Sequence, residues 1–114
     1  MTDMSVVRLE PSKPFGLFFQ ALANPARMRI IDYLKAAKSG RSVSQICYEL
    51  GLEQTQGSHA LRCLAFCGLV TSARSGKSVI YTLNSETMLP LLDVVETHLK
   101  KYGSNLYACD ALER

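Results

Sequence analysis

Cys63 and Cys67 stand four residues apart at the end of a stretch, from about Glu53 to Phe66, that reads as a helix. That spacing sets two sulfurs one turn apart on the same face, close enough to grip one soft cation. Cysteine is also a common small core residue, and for an arbitrary Cys-x3-Cys the core reading would win. Here Leu61 and Leu64 already fill the inward stripe, and the pair lies partly aside from it. Earlier in the same helix, Gln54, Thr55, Gln56, Ser58, His59 and Arg62 fall on the non-core face. Amides and hydroxyls can read base edges or hold phosphates, and Arg62 adds charge; on an isolated helix such a face would simply be solvated. Arg74 and Lys77 flank the tip of an expected hairpin. There they serve either a nucleic-acid backbone or minor groove, or plain solubility. Cys109 lies near the C-terminus. Cys47 sits toward the apolar side of its segment, with Val43, Ile46 and Leu50, and reads as core.

The elements that must position these residues follow from local signals. Residues 1–13 show little apolar periodicity and read as a mobile arm. From Pro14, the patch Phe15, Leu17, Phe18 and Leu22 suggests a short first helix. Asn24-Pro25 starts a second helix, with Asn24 as cap and Pro25 at the first helical position. That helix is expected to bury Met28, Ile31 and Leu34 and to end at Ser39-Gly40. Ser42 with Gln45 forms a capping box ahead of a short helix through Leu50, and Gly51 breaks it before the Glu53–Phe66 helix. Short helix, glycine turn and second helix make the pattern of a helix-turn-helix. Strands are expected at Leu69–Arg74 and Val79–Leu83 around the loop Ser75-Gly76-Lys77-Ser78. A last helix carries Met88, Leu91, Val95, Leu99 and Tyr102 near heptad spacing. Pro90 is expected in its first turn, so it starts between Ser85 and Thr87; Gly103 is expected to end it, leaving 104–114 as a tail.

The predicted fold is therefore mainly α with a small β-hairpin, a winged helix-turn-helix over 14–103. The first and last helices carry more apolar surface than one small domain can hide. Phe15, Phe18, Leu22, Leu91, Val95, Leu99 and Tyr102 are accordingly assigned to a homodimer interface. A chain of 114 residues holds one domain, and 47% apolar with 20% charged residues excludes a disordered chain. No apolar run approaches the roughly 18 residues needed to cross a bilayer. Without a secretory leader the expected location is the cytoplasm, where thiols stay reduced and the four cysteines are not a disulfide framework. A net charge of +3 permits nucleic-acid binding without requiring it.

Four strings in register resemble the ArsR/SmtB family of metal-responsive repressors, over roughly residues 15–102. Ala21-Leu22-Ala23-Asn24-Pro25-Ala26-Arg27-Met28-Arg29-Ile30 is similar to the family's opening "ALADPTRLRIL". Leu50-Gly51-Leu52 followed by Gln54, Thr55, Ser58 and Leu61 resembles "LGLSQSTVSRHL". Gly68-Leu69-Val70 resembles "GLV", and Arg74-Ser75-Gly76-Lys77 with Tyr81-Thr82-Leu83 resembles the wing "REGRxVYYRL". Two departures stand out. Gly57 replaces a usual apolar residue, which suggests a recognition helix loose at its N-terminal end, and Ala60 replaces a common His.

Arg62-Cys63-Leu64-Ala65-Phe66-Cys67-Gly68-Leu69-Val70 further resembles "SCLRGCGLV" of the family's cadmium/lead-sensing CmtR-like branch. That branch takes a third thiolate from the C-terminal tail, and Cys109 lies in the corresponding region. The resemblance implies a Cys63, Cys67 and Cys109 site for Cd(II) or Pb(II), with Cys109 supplied by the other protomer and As(III) or Zn(II) also possible ligands. His59 offers at most a weak fourth ligand. Of the family's other sites, the final-helix zinc pattern retains only His98, and the arsenic-type "CVC" corresponds to Ser42-Val43-Ser44. The leading expectation is thus a homodimeric repressor that releases operator DNA when a soft metal binds. A redox or reactive-sulfur switch on the same cysteines is the alternative. An enzyme is not expected, because no oriented base, nucleotide loop or Cys-x-x-Cys accompanies the thiols. A winged-helix protein-interaction module without sensing is the remaining reading.

Overall fold

The computed structural model describes residues 12–109; the expected arm over 1–11 and the end of the expected tail, 110–114, lie outside them. The first helix, α1, spans Ser12–Leu22. Ser12 and Lys13, assigned above to the arm, belong to it, since a proline at 14 is compatible with a first turn. Asn24 then caps α2 (Pro25–Ala37), its side chain accepting from the Arg27 backbone N–H at 3.0 Å. Two residues before the expected end, α2 closes on Lys38, a left-handed cap at φ 62° whose N–H returns to Leu34 O. The Arg27 side chain ties α1 to α2 by donating from Nε to the Ala21 carbonyl at 2.6 Å.

The buried stripe of α2 is Ile30, Ile31 and Leu34, whereas Met28, expected inside, is 39% exposed. At 3.6 residues per turn, position 28 points about 110° away from the centre of that stripe, so Ile30 takes its place. A short strand that the sequence pattern does not announce, β1 (Arg41–Ser42), follows. The capping box forms as expected at α3 (Val43–Leu50): the Gln45 N–H donates to Ser42 Oγ at 3.1 Å and the Ser42 N–H to Gln45 Oε1 at 2.9 Å. Gly51 breaks the chain in the left-handed region at φ 67°, and α4 (Gln54–Phe66) begins after Glu53.

The wing is β2 (Val70–Ser75) and β3 (Ser78–Leu83), each one residue offset from or longer than expected and joined by Gly76-Lys77 alone. The sheet has three antiparallel strands in the order β1-β3-β2, with Arg41 opposite Tyr81 and Ser42 opposite Ile80. Ile30, Ile31, Leu34, Ile46, Leu61, Leu64, Leu69 and Val70 form the apolar interior of this unit, which runs to Leu83.

A second compact unit starts at Asn84 and consists of α5 (Ser85–Tyr107). Two expectations fail here. Pro90 lies in the second turn of α5 rather than the first; it is exposed, so the Glu86 carbonyl it leaves without an intrahelical partner can meet water. Gly103 does not end α5, which continues through Leu106 and Tyr107. Leu106 extends the stripe of Val95, Leu99 and Tyr102, all between 39% and 45% exposed. Among the described residues no helix is long and apolar enough to cross a membrane.

Candidate nucleic-acid interface and thiol pair

The two faces of α4 divide as its periodicity requires. Gly57, Ala60, Leu61 and Leu64 are buried, while Gln54, Thr55, Gln56, His59 and Arg62 are exposed and Ser58 is half-buried. What seats α4 is its contact with α3. Cys47, 5% exposed, is a core residue as expected, and its thiol donates to the Glu53 carbonyl at 3.6 Å, just ahead of the first turn of α4. A Cβ at position 57 would collide with Cys47 Sγ. Gly57 is therefore the residue that lets the two helices approach, and the Gly57 N–H still donates to Glu53 O at 2.9 Å. The expectation of a loose helix start is replaced by a close-packed one: the missing side chain leaves room that the sulfur fills. Arg29 of α2 in turn holds the end of α3, donating to the Leu50 carbonyl at 2.6 Å.

Arg74 and Lys77 are both exposed on the wing. Lys77 lies in the two-residue turn and lines a small polar recess together with Ser42, Ser44 and Gln54. Ser42 is legible in the sequence as a helix cap, but the place of Ser42 and Ser44 beside the wing is not, because the pairing of β1 with β3 has no local signal. Interface and recess present donors and positive charge on one set of elements, α3, α4 and the wing, a chemistry suited to phosphates and base edges.

Directly after Arg62, Cys63 and, one turn on, Cys67 set two neighbouring thiols at the end of α4. Cys63 is half-buried and Cys67 exposed at the C-terminal cap of α4. The Cys67 thiol is held above its ordinary value, first by desolvation of the sulfur and next by the neighbouring Cys63, with the Arg27 guanidinium pulling the other way. Arg27 was not singled out as a neighbour of this pair, since it comes from α2. Two soft donors one helical turn apart suit a thiophilic cation. Cys109 is half-buried just after α5, its N–H donating to Leu106 O at 3.2 Å. Among the described residues no three His, Cys, Asp or Glu side chains of one chain gather into a group that could hold a metal.

Elsewhere, the His98 and Tyr102 rings meet at a tilt of 42° with centroids 4.9 Å apart, and Lys101 lies over the same tyrosine ring. Of the expected interface residues, Phe15 is 67% exposed while Phe18, Leu22 and Leu91 are half-buried.

Residues 24–72 match the family model described as bacterial regulatory protein, arsR family. The chain is 37% identical over 79 residues to the HTH-type transcriptional regulator NmtR of Mycobacterium tuberculosis, covering 69% of this chain and 64% of that protein, just under two thirds of its length. To the transcriptional repressor SmtB homolog of Synechocystis it is 30% identical over 96 residues, covering 84% of this chain and 71% of the other. The solution structure of the homodimeric winged helix-turn-helix DNA-binding domain of Mb0332 from Mycobacterium bovis superposes with a TM-score of 0.70 at 28% identity, covering 90% of each chain.

Proposed function

The chain belongs to the arsR family of bacterial transcriptional regulators, and from that premise we propose that it is a homodimeric, cytoplasmic repressor which leaves its operator when a soft metal ion binds. The observation that carries this reading is the arrangement of α4. A single helix carries an exposed polar face, from Gln54 to Arg62, and the Cys63–Cys67 thiol pair at its end.

In this reading α4 lies in the major groove, with Gln54, Thr55, Gln56, Ser58, His59 and Arg62 toward the duplex and Arg74 and Lys77 reaching it from the wing. Cys63 and Cys67 supply two thiolates and Cys109 the third, from the other protomer. When bound, the metal supplies a positive charge and a fixed geometry for its sulfur ligands. A thiolate set selects Cd(II) or Pb(II), then As(III) or Zn(II), over Mg(II) or Ca(II). Ligation must displace the Cys67 proton and draw the thiols together, and both events act on the helix that holds the DNA face. That is a direct coupling between the two sites. Exposed apolar residues on α1 and α5, including Phe15, Val95, Leu99 and Tyr102, supply the dimer surface, and the homodimeric Mb0332 domain supports this assembly.

A disulfide switch on the same pair is the second reading, because among the described residues no third His, Cys, Asp or Glu of the same chain joins the two sulfurs. The raised Cys67 value does not separate the two, since the thiolate is both the form that oxidises and the form that ligates a metal. Titrating an operator complex separately with Cd(II), Pb(II), Zn(II), As(III) and an oxidant discriminates the two. The metal reading expects release with Cd(II) or Pb(II) under reducing conditions; release by oxidant alone would replace it.

A further inference from the structure

We propose that the recess between the start of α3, the first residue of α4 and the wing turn seats one backbone phosphate of duplex DNA, with Lys77 closing on it from the wing. The inference rests on the DNA-binding reading above and names a contact within it. The recess measures about 230 Å³ and is lined by Ser42, Ser44, Gln54, Lys77 and Ser78, together with two valines. Pockets for drug-sized molecules run from about 300 to 1,000 Å³, so this one suits a single small group. Among the described residues its one charged lining residue is a lysine, and no carboxylate lines it. The larger recess between α2 and α3, by contrast, is lined by Glu49 as well as Arg41, and the one on α5 by Asp93.

The donor inventory matches a phosphate oxygen, which only accepts. Ser42 Oγ already accepts from the Gln45 N–H, so its own proton is left to donate outward. Ser44, Ser78, the Gln54 amide and the Lys77 ammonium add donors from three separate elements. Sheet register explains the convergence. Ser42 stands opposite Ile80 in antiparallel pairing, and α3 starts at the next residue, so Ser42 and Ser44 in its first turn line the same recess as Ser78 at the base of the wing turn. Gln54 and Lys77 then act on the sugar–phosphate backbone and not on base edges. One phosphate held from both sides would fix the angle at which α4 meets the groove, contributing affinity without sequence preference.

The test combines protein variants with chemically neutralised DNA. Operator affinity is measured against salt concentration for wild type, Lys77→Ala, Ser44→Ala and Arg62→Ala, on duplexes carrying one neutral methylphosphonate at each position in turn. Lys77→Ala is expected to flatten the log–log salt dependence by about 0.9. At one linkage per half-site, neutralisation should weaken wild type while Lys77→Ala and Ser44→Ala cost nothing further there; Arg62→Ala should remain costly at that linkage. The proposal is overturned if Lys77→Ala and Ser44→Ala remain additive with neutralisation at every linkage, or if they map to different phosphates while wild type still binds. Absence of duplex binding by wild type at any salt concentration would instead remove the DNA reading on which it rests.

Discussion

At the scale of single residues, the proposed metal site would tie proton chemistry to metal binding through the Cys67 thiol. Desolvation and the adjacent Cys63 hold its proton on, so a soft metal has to compete with that proton for the sulfur. Apparent Cd(II) affinity is therefore expected to rise with pH through the neutral range and level off only above the ordinary thiol range, with proton release on binding. The apo protein's stability should move oppositely. A thiol whose folded value is raised keeps its proton where the unfolded chain has lost its own, so stability falls as pH climbs past the unfolded value. Isothermal titration in buffers of different ionisation enthalpy checks the first expectation. A pH-independent affinity with no proton released would contradict it. The pairing of these two cysteines was legible from their spacing alone, because four residues is one turn of any helix. Arg27, which opposes the shift, comes from a different helix and left no trace in the local pattern.

Elements show where local signals suffice and where they do not. Asn24-Pro25 and Ser42 with Gln45 each mark a helix start, because capping depends on residues within one turn. The exposed face of α4 was legible for the same reason, as periodicity alone sets Leu61 and Leu64 opposite Thr55, His59 and Arg62. Strand β1 and the serines it carries to the wing depend on pairing with β3 some forty residues later, and no local pattern encodes that. The helical glycines make the contrast testable. A Cβ at Gly103 would meet Leu99 only at ordinary contact distances, 3.7 Å and beyond, whereas one at Gly57 would run into Cys47 Sγ. Gly103→Ala should thus stabilise by about 0.5–1 kcal/mol through helix propensity. Gly57→Ala has the same propensity gain but meets an overpacking cost of about 1–3 kcal/mol, so it should destabilise. Adding Cys47→Ala removes the obstructing sulfur and should recover part of that loss. Thermal unfolding of the three variants and the double variant measures these signs, and strictly additive effects of Gly57→Ala and Cys47→Ala would argue against their contact.

For the whole molecule, the chain by itself leaves Phe15, Leu17 and Phe19 on α1 and Val94, Leu99 and Leu106 on α5 substantially exposed. A second copy is the economical cover for such surfaces. Sedimentation is expected to give a dimer at micromolar concentration, and Leu99→Arg should shift it toward monomer and weaken operator binding together. A wild-type monomer under those conditions would dismiss the assembly. Legible from the sequence was that apolar surface exceeds what one domain can bury; the continuation of α5 past Gly103, which adds Leu106 to the stripe, was not, because tertiary and quaternary burial can outweigh one glycine's cost of about 1 kcal/mol. The central claim is that metal ligation at the thiol pair on α4 sets DNA affinity, and Cd(II) titration of the operator complex, followed by anisotropy and by sulfur-to-metal absorption in the same cuvette, tests it most directly. Wild type should show the absorption band and lose operator affinity together, by a factor of about 5–150 if the coupling has ordinary size. The Cys63→Ser/Cys67→Ser variant should bind operator as tightly as wild type without metal and show neither change when Cd(II) is added. Full metal-driven release with the band intact in that double variant would contradict the account.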